Sequence, residues 1–130
     1  MGYTHHWTIK EPIDADAFNK LQEGIKAIIE TAQDAGIAID DESTDGTIAF
    51  NGVGANAHET FVIQVGDTGY DFCKTAEKPY DAVVTASLIL LKKELGAEVE
   101  ITSDGGWHRW ESGQLLYETV FDIQPESVLS

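Results

Sequence analysis

Residues Ile37 to Val65 read IAIDDESTDGTIAFNGVGANAHETFVIQV, and this stretch decides the fold class. Thr47 to Phe50 and Thr60 to Val65 are short runs rich in β-branched and aromatic residues, with Phe61 and Ile63 on one face of the second. Ile37 to Ile39 is a briefer strand signal before them. Asp40 to Gly46 is a polar turn, and Asn51 to Ala57 is a glycine-containing loop. No helix separates these strands, so the strand-helix alternation of an open, mostly parallel nucleotide-binding sheet is broken here. Strands that follow one another directly favour antiparallel pairing.

Two helices flank this centre. Asp14 to Ala35 places Phe18, Leu21, Ile25, Ile28, Ile29 and Ala32 on one face at helical spacing. Asp14 and Asp16 suit its positive N-terminal end, and Gly36 supplies a left-handed stop. The second helix runs from Pro79 or Tyr80 to Leu95. Val83, Val84, Leu88, Leu90, Leu91 and Leu95 surround most of it, so deep burial is expected; Lys92 and Lys93 sit at its C-terminal end before Gly96. Tyr3 to Lys10 alternates as an edge or second strand, with Tyr3, His5, Trp7 and Ile9 on one side and Thr4, His6 and Thr8 on the other. Ala97 to Thr102 alternates as a half-exposed strand, with Val99 and Ile101 against Glu98 and Glu100. Trp107 to Phe121 holds a shorter third helix with Leu115, Leu116 and Val120 inward. Gly66 to Lys78 reads as a long connection, and the tail from Asp122 as loose. The expected order is β-α-β-β-β-α-β-α over a single domain, residues 1–130. That is an α+β two-layer sandwich, with the helices on one face of a mostly antiparallel sheet.

The chain has 130 residues, of which 42% are apolar, enough for a core. Its 23 acidic residues against 8 Lys and Arg give a net charge of −15. That argues against binding nucleic acid or anionic membrane, because phosphate recognition rests on clustered Lys and Arg. Cys73 is the single cysteine, so no internal disulfide forms. No stretch reaches the roughly 18 apolar residues of a membrane span. Met1 to Lys10 lacks a basic region followed by an apolar run. A cytoplasmic location is the expectation, host cytoplasm if the gene is phage-borne.

The chemically most unusual stretch is Cys73-Lys74-Thr75-Ala76-Glu77-Lys78-Pro79-Tyr80. It sets two of the eight basic residues just before the best-buried helix. A helix N-terminus presents N–H groups and partial positive charge, and Lys74, Lys78 and the Thr75 hydroxyl add charge and donors for a phosphate or carboxylate. The plainer reading has both lysines solvated or paired with Glu77, Asp71 or Asp81. The glycine spacing of a P-loop is absent. Ser103-Asp104-Gly105-Gly106 forms a turn before Trp107, His108 and Trp110, whose indoles could stack on a planar ring or simply close the edge of a core. Tyr3, Trp7, Tyr70 and Tyr80 could extend that aromatic wall. His5, His6, His58 and His108 come from three regions, with no HExxH or CxxC spacing, so no metal and no cofactor is expected. Cys73 beside Lys74 could be activated, but no base partner is visible, and a small buried residue is the simpler reading. No catalytic residue is assigned. The expected ligand-binding set is Lys74, Thr75, Lys78, Tyr80, Trp107, Trp110, His5 and Trp7.

Ile48-Ala49-Phe50-Asn51-Gly52, Glu59-Thr60-Phe61, Tyr70-Asp71-Phe72-Cys73-Lys74-Thr75-Ala76, Lys78-Pro79-Tyr80-Asp81 and Ser103-Asp104-Gly105 together resemble a family of small proteins from bacterial and bacteriophage genomes. The opening Tyr3-Thr4-His5-His6-Trp7 is also similar. The FCKTA and KPYD pieces carry the resemblance most specifically. It implies a compact domain and no activity, since none is established for the family. A phage origin would suit a sponge for a nucleotide immune signal, an analogy of genome context alone. The leading expectation is therefore a binding protein for an anionic, phosphorylated or nucleotide-like small molecule. The alternatives are an acidic interaction module, such as a virion component or an inhibitor mimicking nucleic acid, and a phosphoester hydrolase using His5 or His58 as base. An exposed Tyr3 to Lys10 edge leaves a homo-oligomer open.

Overall fold

A computed structural model describes residues 3–130. The helix that anchors the fold, α2 (Asp81–Leu95), is buried on every side: all ten residues from Ala82 to Leu91 are shielded from solvent. An even distribution of Ala, Val, Leu and Ile around its circumference leaves it no polar stripe, so it needs neighbours all round. It packs against α1 (Ala15–Asp34), α3 (Glu111–Phe121) and the strand β6 (Val99–Ser103). Close approach of both helices depends on glycines. A Cβ on Gly24 of α1 would sit 2.4 Å from Leu90 Cδ2, and one on Gly113 of α3 would sit 1.9 Å from Thr85 Oγ1. α1 begins as its sequence demands, with the Ala17 N–H donating to the Asp14 carboxylate at 2.8 Å.

The described residues form three α-helices and two three-stranded antiparallel sheets, an α+β fold. One sheet has the order β5-β1-β6, from β5 (Gly69–Lys74), β1 (Thr4–Ile9) and β6. The other has the order β2-β3-β4, from β2 (Asp40–Asp41), β3 (Thr47–Asn51) and β4 (Phe61–Gln64). Trp7 and Ile9 from the first sheet meet Ile48, Phe50, Phe61 and Ile63 from the second and the buried face of α1 in one core.

Several expectations change. β1 is the central strand of its sheet, paired on both sides, so it is no edge and offers no strand to another chain. The stretch Gly66 to Lys78 contains a full strand, β5, giving the order β-α-β-β-β-β-α-β-α. Ile37 to Ile39 pairs with nothing in a ladder; pairing falls instead on Asp40 and Asp41, opposite Asn51 and Phe50. In α3 the inward set is Gly113, Leu116 and Tyr117, while Leu115 points to solvent at 58% exposure. The tail is tied down: Val128 is buried, Leu129 bridges Ile101 in parallel, and the Ser130 N–H donates to the Ile101 carbonyl at 2.8 Å. No described helix is long and apolar enough to cross a membrane.

Candidate functional site

The start of α2 is where the chemistry gathers. β5 ends at Lys74, and the chain reverses through Thr75-Ala76-Glu77-Lys78. Ala76 and Glu77 have φ of +52° and +56°, and the Lys78 N–H closes on the Thr75 carbonyl at 3.0 Å. Positive φ at both central positions is the type I′ pattern, which glycine or asparagine usually fills. Two other residue types hold it here, so the surrounding contacts impose the conformation.

One of those contacts is a buried polar network. His5 on β1 is wholly buried and spans two partners: Nε2 lies 2.6 Å from Asp81 Oδ1 and Nδ1 lies 2.8 Å from Ser103 Oγ. The Thr75 hydroxyl donates to the same Asp81 oxygen at 2.5 Å. Asp81 is an acceptor from both, which assigns the proton of His5 to Nε2. Nδ1 then accepts from the Ser103 hydroxyl, whose oxygen in turn accepts from the Gly105 N–H at 3.1 Å and the Trp110 Nε1–H at 3.3 Å. Every capacity of Ser103 is used, and both His5 nitrogens are occupied. The order His5, Asp81, Ser103 resembles a hydrolytic triad, but His5 is wholly buried and the Ser103 oxygen already accepts two hydrogen bonds, so no lone pair is left for attack on a substrate. The network joins β1, β6, the turn and α2 at one point.

Tyr3 and Trp110 flank His5 edge-on, with centroids 5.1 Å and 5.2 Å away. The Tyr3 hydroxyl is buried without a geometric hydrogen-bond partner among the described residues. Burial, followed by the nearby charge of Asp81, pushes its pKa up. Over the Tyr3 ring, at 5.5 Å, lies the guanidinium of Arg109, which is also paired with Glu77. That hydrogen bond to Glu77 raises Arg109 above its ordinary value.

Outside the network lies a cleft of about 380 Å³. Lys78, Glu77 and Asp81 border it on the turn side, and Arg109, Trp110 and Ser112 on the other. It brings together two of the eight basic residues of the chain. The first-turn N–H groups of α2 do not open into it as donors, because Asp81, Ala82 and Val83 bond back to Lys78, Pro79 and Tyr80. Asp81 itself occupies the favourable anion position at the helix start.

The expected ligand-binding residues separate. Lys78 lines the cleft, and Trp110 reaches its wall but is 1% exposed, so its ring is closed in the core. Trp107 is half-buried, its ring 5.7 Å from that of Trp110. Lys74 lies elsewhere, with Nζ 5.7 Å over the Phe72 ring on the outer face of the first sheet. Thr75 and His5 are buried and engaged with Asp81. Tyr80 is buried and donates to the Glu59 carbonyl at 2.6 Å; desolvation pushes its pKa up. Trp7 is closed in the core against Phe61, 5.2 Å between centroids. Cys73 is wholly buried, and burial, then the Glu59 charge, moves its thiol up to about 12, which keeps it protonated and inert. His58 is exposed on its loop.

Sequence reasoning passed over Arg109, Glu77 as its partner, and the Asp81–His5–Ser103 connection. Arg109 is the chain's single arginine among 23 acidic residues, a signal available in the composition. Among the described residues no group of three or more His, Cys, Asp or Glu side chains is arranged to hold a metal. Compared with known proteins, the chain matches no family model, no curated protein and no solved structure.

Proposed function

We propose that the protein binds a small phosphorylated or nucleotide-like molecule in the cleft at the start of α2. One observation carries the reading: in a chain of net charge −15, Lys78 and Arg109 border one concave surface. The Glu77 carboxylate rests on Arg109 where a ligand phosphate would rest, and it acts as an internal competitor. Arg109 and Glu77 are about half exposed (49% and 52%), so their pair is weak and exchangeable. An incoming phosphate would replace Glu77 on the guanidinium fork and gain Lys78 as a second charge. A nucleotide immune signal is the sharpest candidate within this class.

A thermal-shift panel of inorganic phosphate, AMP, cyclic nucleotides and ADP-ribose tests the reading. A ligand at a hundred times its Kd adds roughly 2.7 kcal/mol of stability, a readily measured rise in Tm. The rise should vanish in a folded Lys78→Ala/Arg109→Ala variant and grow in Glu77→Ala, which frees the arginine. No rise with any compound, or an equal rise in the double variant, refutes the site.

A further inference from the structure

The outer face of the first sheet is aromatic where a solvent-facing sheet is ordinarily polar. Tyr70 and Phe72 on β5 are 61% and 39% exposed. His6 on β1 lies between them, with Nδ1 2.6 Å from the Tyr70 hydroxyl and the two rings stacked at 5.9 Å. Tyr70 is thereby held in place with its ring open to solvent, and Tyr70 and Phe72 neighbour each other at 6.1 Å. Such a contiguous exposed patch marks a contact surface.

Two kinds of group stack on aromatic faces: nucleobases and cations. The charge around the patch chooses between them. Register places Thr8 opposite both Tyr70 and Glu100, so an aromatic ring and a carboxylate stand on either side of a small residue, roughly 10 Å apart across two strand spacings. Asp104 lies on the same side, 3.9 Å from His6 Nε2. Beside Tyr70 these carboxylates disfavour a phosphate, with Lys74 standing at the far end of the patch over Phe72, whereas a guanidinium lying on Tyr70 above Thr8 faces Glu100. The chain already shows this kind of contact twice, in the Arg109 guanidinium over Tyr3 at 5.5 Å and, on this face, in the Lys74 ammonium over Phe72 at 5.7 Å. Among the described residues Glu100 pairs with Lys10 alone, 3.6 Å away, and both are about half exposed, so a stronger cation can displace that lysine.

We infer that this face docks an arginine-rich, extended segment of a basic partner protein, its guanidinium groups on Tyr70 and, in place of the Lys74 ammonium, on Phe72, and its charge answered by Glu100 and Asp104. The site is separate from the cleft and does not depend on the ligand proposed there. Fluorescence polarisation with labelled nona-arginine tests it. Tyr70→Ala/Phe72→Ala keeps the net charge unchanged, so attraction to overall charge alone predicts equal affinity. Docking on the rings predicts about a fivefold or greater loss, with circular dichroism showing the variant folded. NMR shift changes on titration should centre on His6, Tyr70 and Phe72. Equal affinity of the two proteins overturns the inference. So do shift changes centred on the acidic β2–β3 turn instead, preferential binding of single-stranded DNA, or a dimer of the free protein that the double substitution dissolves.

Discussion

Asp81→Ala should destabilise the protein by far more than a helix-start residue ordinarily does. The carboxylate accepts from two side chains, His5 and Thr75, both wholly buried. Its removal orphans two donors, each costing about 1–3 kcal/mol, so the gross loss is about 2–6 kcal/mol. The lost charge at the helix start adds roughly 0.3–1 kcal/mol. Asp81 borders the cleft and its side chain is 17% exposed, so water can follow into the space, which moves the expectation to about 3 kcal/mol. Against a total stability of about 5–15 kcal/mol that is a large fraction. With a urea m-value of about 2 kcal/mol/M, the midpoint should fall by about 1.5 M while m stays constant. Tryptophan fluorescence reports the transition. The companion Thr75→Val removes one of the two donors without orphaning an acceptor, because Asp81 keeps His5. In the double variant only one of the two donors, the His5 Nε2–H, is left to be orphaned, so the combined loss should fall short of the sum by about 1 kcal/mol. A loss below about 1 kcal/mol for Asp81→Ala, or strict additivity in the cycle, would refute the network as a stabilising unit.

Two further outcomes follow from packing and titration. Cys73 is raised from 9.0 to about 12 in the folded chain, so its contribution is intact below the unfolded thiol range and is lost as pH rises from there through 12. Relative to Cys73→Ala, wild type should lose about 1.4 kcal/mol per pH unit above about pH 9, read from urea midpoints at pH 8 and 10; parallel pH profiles would contradict it. Tyr3 and Tyr117 are raised as well and act in the same direction at higher pH in both proteins, whereas part of the Tyr80 rise comes from Cys73 and is lost in Cys73→Ala, so midpoints are compared only up to pH 10. Gly113→Ala drives a methyl into Thr85 and the α2 backbone, and overpacking of about 1–3 kcal/mol should outweigh a helix-propensity gain of about 1 kcal/mol. Gly24→Ala meets side-chain ends, Leu90 Cδ2 closely and Phe121 Cζ at 3.4 Å, and no backbone, so calorimetry should show a smaller loss there, and the reverse order would count against this account of the helix contacts.

The two long helices were legible because their signals are local. α1 carries its apolar stripe and its Asp14 cap within its own residues, and α2 declares its burial by apolarity on all sides. β5 was not legible, because its pattern is inverted. Tyr70 and Phe72 face solvent, while Asp71 holds the parity of the inward-facing Trp7, leaving Cys73 as the strand's single buried residue. A reader of periodicity expects apolar residues inside, and here they serve the surface. The split into two sheets was equally hidden, since pairing between β1 and its neighbours joins residues 60 to 70 and 90 to 98 positions apart. Lys78 and Trp110 belonged to the expected site and reach the cleft, because each sits at a turn that opens a helix. Lys74, four residues before Lys78, ended on another surface because the type I′ turn lies between them. The partnership of His5 with Asp81 depends on a strand and a helix start 76 residues apart, which spacing in the chain does not encode.

The all-round burial of α2 also governs how the native state opens. Detaching α1 or α3 would strip one side of a helix that has no polar face to turn outward. Such a partly detached state gains no favourable hydration, so it stays scarce beside the fully unfolded chain. Amide protons of Val84 to Leu91 should therefore exchange with solvent only through global unfolding, whereas those of the exposed β2–β3 turn exchange by small local fluctuations. A protease acting on the native protein would find its cuts in that turn, and the segment richest in apolar residues would meet chaperones or other chains only in the rare molecules that have lost the whole fold.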